Sequence, residues 1–185
     1  MSEYYLMSQL PSLDGVSDNL PLPITEERFL ELCHRFLGKK ARDEVDRLTL
    51  APARELESSS SALIAAWNGG ERDLRLALGK ARADKLKKPF DAGDRILPVP
   101  LLKLASAAVE TESPLEAERL LDGYRLAFLE TLRPMDAFSE EFVFYYGLKL
   151  KLLLRARCFD DALGEEAYRN IYRSVVDGEG LEAKQ

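Results

Sequence analysis

The chain has 185 residues, with 26 lysines and arginines against 32 aspartates and glutamates, for a net charge of −6. That length suits one compact unit or two small helical parts, and the acidic balance opposes binding to phosphate backbones unless a basic face is strongly segregated. Apolar content of 46% and charged content of 31% exclude a disordered chain and support a soluble one with a real core.

The start, MSEYYLMSQLP, has an early acid, no basic stretch and no apolar run of signal-peptide length. A cytoplasmic protein is expected, with any membrane association made through a partner. Residues 1–24 hold Pro11, Pro21, Pro23 and the turn pair Asp14-Gly15. They read as a short element, Tyr4 to Leu10, and then an extended arm. Tyr4, Tyr5, Leu6 and Leu10 suggest that the arm is pinned to the core. Whether Tyr4 to Leu10 is a strand or a helical turn stays open.

Thr25 is a good helix N-cap, with Glu26 and Glu27 in the first turn, where the helix dipole favours acids. Phe29, Leu32, Cys33 and Phe36 recur at i, i+3, i+4 and i+7, the spacing of one helix face. Gly38 can end that helix. A second helix is predicted over Lys39 to Leu48, with Ala41, Val45 and Leu48 on one side. Pro52 breaks the chain. One of the serines 58–61 caps a helix over Ala62 to Asn68. Asn68-Gly69-Gly70 is either a break or a glycine-weakened bend within a longer helix. Helix resumes from Glu71 to Lys88, with Leu74, Leu78 and Ala81 on one face, and Lys88-Pro89 ends it.

The stretch Pro89 to Pro100, PFDAGDRILPVP, holds three prolines and a glycine. It is the predicted hinge between an N-terminal helical part, 1–88, and a C-terminal part, 101–178. Leu101 to Val109 is a short helix. Ser113-Pro114-Leu115-Glu116 then combines a serine cap, a proline at the first helical position and a capping-box glutamate. The helix it opens runs to about Leu132, and Pro134 stops it. Ser139 caps the next, which runs to about Phe159. Glu165 to Val176 is read as a last helix. With no alternating strand pattern, the fold class is all-α: a compact array of seven or eight helices in two layers.

Within that array, Phe142 to Leu154, FVFYYGLKLKLLL, is apolar nearly all round, which marks burial on most sides. It is too short for a membrane span, which needs about 20 apolar residues. Lys149 and Lys151 interrupt it. They lie about 160° apart around the axis, so their stems are expected to snorkel to water from opposite flanks.

No residue pattern supports catalysis. His34, the only histidine, adjoins Cys33, but neighbouring helix positions diverge by about 100°. A disulfide between Cys33 and Cys158 stays open, although two free, buried, inert thiols are the simpler reading. Asn68-Gly69-Gly70-Glu71 lacks the Lys-Ser/Thr of a phosphate loop. Ser58 to Ser61 has no nucleophile elbow. Asp160-Asp161 and Glu165-Glu166 read as solvated, dipole-favoured charge. Trp67 reads as core. No metal or cofactor is expected. An enzyme with an unrecognised acidic site would need a concave pocket of convergent carboxylates.

One cluster is less bland. Arg72, Arg75, Lys80, Arg82, Lys85, Lys87 and Lys88 face only Glu71, Asp73 and Asp84 across 71–88, a local net of +4. It is either a solvated helix face or a docking strip for an acidic protein. No aromatic interleaves these cations in sequence, so a stacking platform for single-stranded nucleic acid is not supported.

Three segments together resemble a known family. They are Tyr4-Tyr5-Leu6-Met7 with Leu10-Pro11; Trp67 with Glu71-Arg72-Asp73-Leu74-Arg75 and Ala81-Arg82-Ala83-Asp84-Lys85-Leu86; and Leu120-Leu121-Asp122, Tyr124, Phe128-Leu129-Glu130, Phe138-Ser139, Glu141 and Leu148-Lys149-Leu150. The resemblance is to an uncharacterised bacterial family encoded beside V-type ATPase subunits. That family is itself similar to the C-type subunit of the archaeal and bacterial V/A-type ATPases, whose eukaryotic counterpart is the d-type subunit. It implies an all-helical, non-catalytic part that couples the central rotor stalk to the membrane ring of a proton or sodium pump. The C-type subunit is much longer and is built of several related helical modules. On this reading Arg75, Arg82, Lys85 and Lys88 meet an acidic partner surface, and Leu101 and Leu104 offer an apolar contact. The alternative is a general helical adaptor or regulatory protein unrelated to ATPases.

Overall fold

A computed structural model describes residues 2–16, 21–52, 60–91, 93, 95–158 and 169. Seven helices form among them, and no strand does. They are α1 (Ser2–Gln9), α2 (Glu26–Phe36), α3 (Lys39–Asp46), α4 (Ala62–Lys85), α5 (Val99–Glu110), α6 (Pro114–Thr131) and α7 (Glu140–Arg157). The helix expected over Glu165 to Val176 lies outside the described residues, apart from Arg169.

Local chemistry sets most helix starts. The hydroxyls of Thr25, Ser61, Ser113 and Ser139 accept from the backbone N–H of Arg28, Ile64, Glu116 and Phe142, at 3.2, 3.1, 3.3 and 3.2 Å. Each satisfies a donor that the first helical turn leaves without a partner, worth about 1 kcal/mol. Tyr4 to Gln9 is helical, which settles the open choice there. The arm is pinned by fully buried Leu6, but Tyr4 and Tyr5 stay exposed, and Tyr4 stacks on exposed Phe138 at 5.1 Å. Gly38 does not close α2 in a left-handed turn. Leu37 ends α2 in extended conformation, and Gly38, at φ −66°, is the N-cap of α3.

The choice at Asn68-Gly69-Gly70 resolves as one continuous helix, α4. A β-carbon on Gly70 would lie 2.3 Å from Cε1 of Phe128, so only glycine lets that ring seat against the helix. Phe128 is stacked between Trp67 and Tyr124, each ring centre 6.2 Å away. Trp67 is fully buried, and its indole N–H donates to the Thr49 carbonyl at 3.3 Å. Truncating such a residue costs about 3–5 kcal/mol.

α4 ends three residues earlier than its sequence suggests, and with an unusual turn. Lys87 adopts φ +52°. Its N–H bonds to the Asp84 carbonyl and that of Lys88 to the Ala83 carbonyl, at 3.1 and 2.9 Å. This is the paired bonding that normally closes a helix on glycine. The chain thereby reverses and runs back along α4. Phe90 rests on Gly79, and Arg95 reaches Asp73. α5 then runs beside α4 in the same direction, until the Lys85 ammonium donates to the Val109 carbonyl.

Two apolar clusters result, and α4 serves both. Its first half, with Leu63, Ile64 and Trp67, joins Phe29, Leu32 and Cys33 of α2, Ala41 and Val45 of α3, and Leu129 of α6 around α7. Its second half, with Leu74, Ala77, Leu78 and Ala81, packs on Leu101, Ala105 and Ala108 of α5 and on Leu121 of α6.

α7 is the centre of the first cluster. Every residue from Val143 to Leu150 is buried, and so is Leu152. The two lysines leave on opposite flanks, as their angular separation requires, but each ammonium ends on a carboxylate. Lys149 is only 9% exposed. Its ammonium bonds Asp14 at 2.5 Å and Glu130 at 2.7 Å, with the Tyr145 hydroxyl at 3.3 Å. Lys151 is half-buried and pairs with Glu26. The reason is energetic: a buried ammonium without a counter-charge is disfavoured by several kcal/mol. The arm, α6 and α2 therefore bring carboxylates to α7. The Tyr146 hydroxyl adds a bond to the Pro11 carbonyl at 2.9 Å, tying the same arm down.

The Lys149 hydrogen bond holds the Asp14 carboxyl below its usual range, against a smaller opposing effect of burial. At Glu130 burial pushes upward, but the hydrogen bonds from Lys149 and Tyr145 outweigh it and the net shift is downward. Burial pushes the Lys149 ammonium down, yet its bonds to Asp14, Glu130 and Tyr145 raise it overall. The Tyr145 hydroxyl is pushed up to about 12, chiefly by burial. The two carboxyls contribute stability that is complete above their unfolded values, near pH 4, and is lost as pH falls through the lower folded ones. Lys149 contributes below its unfolded value, and that contribution is lost only in strong alkali.

Two outcomes follow from this packing. Gly70→Ala gains about 1 kcal/mol of helix propensity but overpacks Phe128 at about 1–3 kcal/mol. The net change, between about zero and a 2 kcal/mol loss, lowers Tm by up to about 8 °C; a raised melting point contradicts the seating. For the ion cluster, urea midpoints measured from neutral pH down to pH ~3 should fall through the carboxylate range. In Lys149→Met that fall should be shallower, because Asp14 and Glu130 lose the cation that lowers both. Equal slopes contradict the assignment.

Candidate interaction surface

The basic segment of α4 changes character once it is folded. Its acids turn inward or sideways. Glu71 is 2% exposed and accepts from Nε of Arg125 at 2.8 Å. Arg125 also binds Asp122 at 2.7 Å, and Arg155 of α7 joins Asp122 at 3.2 Å and Glu118 at 2.6 Å. Asp73 pairs with Arg95. Three helices are thus tied together by a network that consumes Glu71. At Arg125 burial works against the charge, and the bonds to Glu71 and Asp122 more than compensate, leaving the guanidinium firmly protonated.

The cations remain outside. Arg75, Lys80, Arg82, Lys85, Lys87 and Lys88 are all exposed, with Asp84 among them. Arg75 donates to the Pro52 carbonyl at 3.2 Å and Lys85 to the Val109 carbonyl at 2.6 Å, both neutral partners. Among the described residues Lys80, Arg82, Lys87 and Lys88 have no ion-pair partner. Folding has raised the excess of outward positive charge above that of the bare sequence.

On α4, Arg75, Gly79, Arg82 and Leu86 follow at i, i+4, i+7 and i+11, one narrow stripe of the helix. Gly79 leaves a gap in that stripe, and Phe90 fills it from the reversing chain. A β-carbon on Gly79 would lie 2.8 Å from Cε2 of Phe90. The ring is 39% exposed and Leu86 is 64% exposed. No aromatic interleaves the cations in sequence, but Phe90, a neighbour in space, supplies one.

Leu101 faces inward, buried against α4, and Leu104 is partly buried against the same cluster. The outward apolar groups near them are Ile96 and Val99, at 94% and 62% exposure. Sequence reasoning missed Phe90, Ile96 and Val99. The signal was the core face of α5, Leu101, Ala105 and Ala108, whose spacing leaves Val99 off that face.

His34 is exposed and meets Asp46 at 2.7 Å. Cys33 is buried and its thiol is pushed up to about 12, mainly by burial and then by Asp46. Cys158 is exposed at the end of α7, which corrects the reading of two buried thiols; both cysteines are free. Ser61 donates to Glu141 at 2.8 Å while capping α4. Asp160-Asp161 and Glu165-Glu166 lie outside the described residues. Beside Lys85, the ends of α4 and α5 leave a cavity of about 310 Å³, lined by Ala81, Asp84, Lys85, Ser106, Val109 and Glu110. Among the described residues no group of three His, Cys, Asp or Glu side chains could hold a metal ion, and no helix is long and apolar enough to cross a membrane.

Compared with protein-family models, curated proteins and solved structures, the chain finds no match in any of the three.

Proposed function

We propose that this chain is a non-enzymatic component associated with a V-type ATPase, coupling or assembling the central rotor stalk with the membrane ring. The observation that supports it best is the coincidence of two features on α4. The segment Trp67 to Leu86 carries part of the resemblance to the family of V-type ATPase neighbours, and it also presents Arg75, Arg82 and Lys85 outward while Glu71 and Asp73 are engaged by Arg125 and Arg95. A coupler needs shape and charge complementarity to its partners and no reaction centre. Its partners would be the stalk subunits and the ring. The chain would sit on the cytoplasmic side, peripheral to the membrane through the complex.

The test is copurification. A tagged chain expressed in its native host should bring down rotor-stalk subunits in stoichiometric amount. A chain that never captures them, and instead holds one soluble partner from outside the ATPase, overturns this reading in favour of a general adaptor.

A further inference from the structure

We infer that the α4 stripe of Arg75, Phe90, Arg82 and Leu86 is a docking site for an acidic amphipathic helix of a partner protein. The inference rests on the reading of the chain as a partner-binding component, and adds the chemistry of what it binds.

Of the acids in this segment, Glu71 and Asp73 are engaged by Arg125 and Arg95, and Asp84 is exposed but pairs with neither Arg75 nor Arg82. An incoming carboxylate meets guanidinium groups that no internal carboxylate competes for: Arg82 has no ion-pair partner among the described residues, and Arg75 holds only a carbonyl. Arginine suits this role because its planar fork binds carboxylates in two-point fashion.

Arg75 and Arg82 are seven residues apart on a straight helix, about 10 Å along the axis. A helix lying alongside repeats its own side chains at the same interval. Acids at i and i+7 on the partner would face Arg75 and Arg82, and an apolar residue between them would land on Phe90. The next apolar residue would reach Leu86. An extended peptide has no such fit. A helix face has its backbone groups already bonded, so it offers no sheet edge for a strand to extend.

Phe90 and Leu86 are large exposed side chains set among cations. An aromatic group ringed by polar contacts is the usual composition of an interface anchor. Nucleic acid fits less well. A single-strand platform stacks successive bases on successive rings, and this stripe has one ring on a chain of net charge −6.

The experiment uses the full chain and a labelled synthetic peptide helix of about three heptads, with glutamate at i and i+7 and leucine between them. Binding is followed by fluorescence anisotropy. Affinity should fall about tenfold or more in Arg82→Glu and about fivefold in Phe90→Ala, the size of a lost interface contact. Raising the salt should weaken binding in the parent and less so in Arg82→Glu. Circular dichroism and thermal melting of each variant confirm the fold; both side chains are exposed, and Arg82→Gln gives a second, milder variant. The inference is overturned if a peptide with glutamine in place of glutamate binds equally well. It is also overturned if an oligo-dT strand binds more tightly and displaces the peptide, or if sedimentation shows a dimer of this chain that Arg82→Glu dissolves. Capture of stalk subunits that survives Arg82→Glu, with no peptide binding, removes this docking stripe and leaves the coupling reading standing. Peptide binding without stalk capture does the reverse.

Discussion

A helix that is apolar on every side has to be enclosed on every side, and α7 makes that demand of the whole first cluster. α2, α3, α4 and α6 surround it, and burying each large side chain contributes about 1.5–3 kcal/mol. The demand would fail at Lys149, because a bare ammonium in that position would undo the gain of several neighbours. Asp14 and Glu130 remove the difficulty. The N-terminal arm is therefore not a loose leader to the fold. Its carboxylate and the Pro11 carbonyl are bound by two residues of α7, Lys149 and Tyr146, one helical turn apart.

The outward face follows from the same kind of accounting for charge. The acids and bases of the chain are sorted by folding. Glu71, Asp122, Arg125 and Arg155 are drawn into a network between α4, α6 and α7, and Asp73 is held by Arg95. The cations left on α4 then dominate a surface that belongs to an acidic protein. The reversal at Lys87 adds an aromatic ring to them. Lysine in a left-handed turn is less favourable than glycine by about 1 kcal/mol, and it holds the chain where Phe90 can cover Gly79.

What was legible in the sequence was what is decided locally. Thr25, Ser61, Ser113 and Ser139 each bond an N–H three residues away, so the cap and the helix it starts are visible together. The burial of Phe142 to Leu154 was legible from composition alone. What was not legible depends on residues distant in the chain. Gly70 can be interpreted only with Phe128, Lys149 only with Asp14 and Glu130, and Gly79 only with Phe90. The interaction surface shows the same division. Its cations and Leu86 could be read from 71–88, but its aromatic member, Phe90, comes from the segment after α4, whose path is set by tertiary packing. The spacing of Leu101, Ala105 and Ala108 marks a core face of α5, but not that α4 is what covers it.

The middle of α7, Val143 to Leu152, is the enclosed stretch on which the rest is built. Hydrogen exchange on the native protein tests it most directly, since amides of an enclosed helix exchange only when the molecule opens globally. The backbone amides from Val143 to Leu152 should be the slowest in the chain, with free energies of opening equal to that measured by urea unfolding. Those of α1 should open at lower free energy. Exchange of α7 as fast as that of α1, or at a free energy well below global unfolding, would contradict the account.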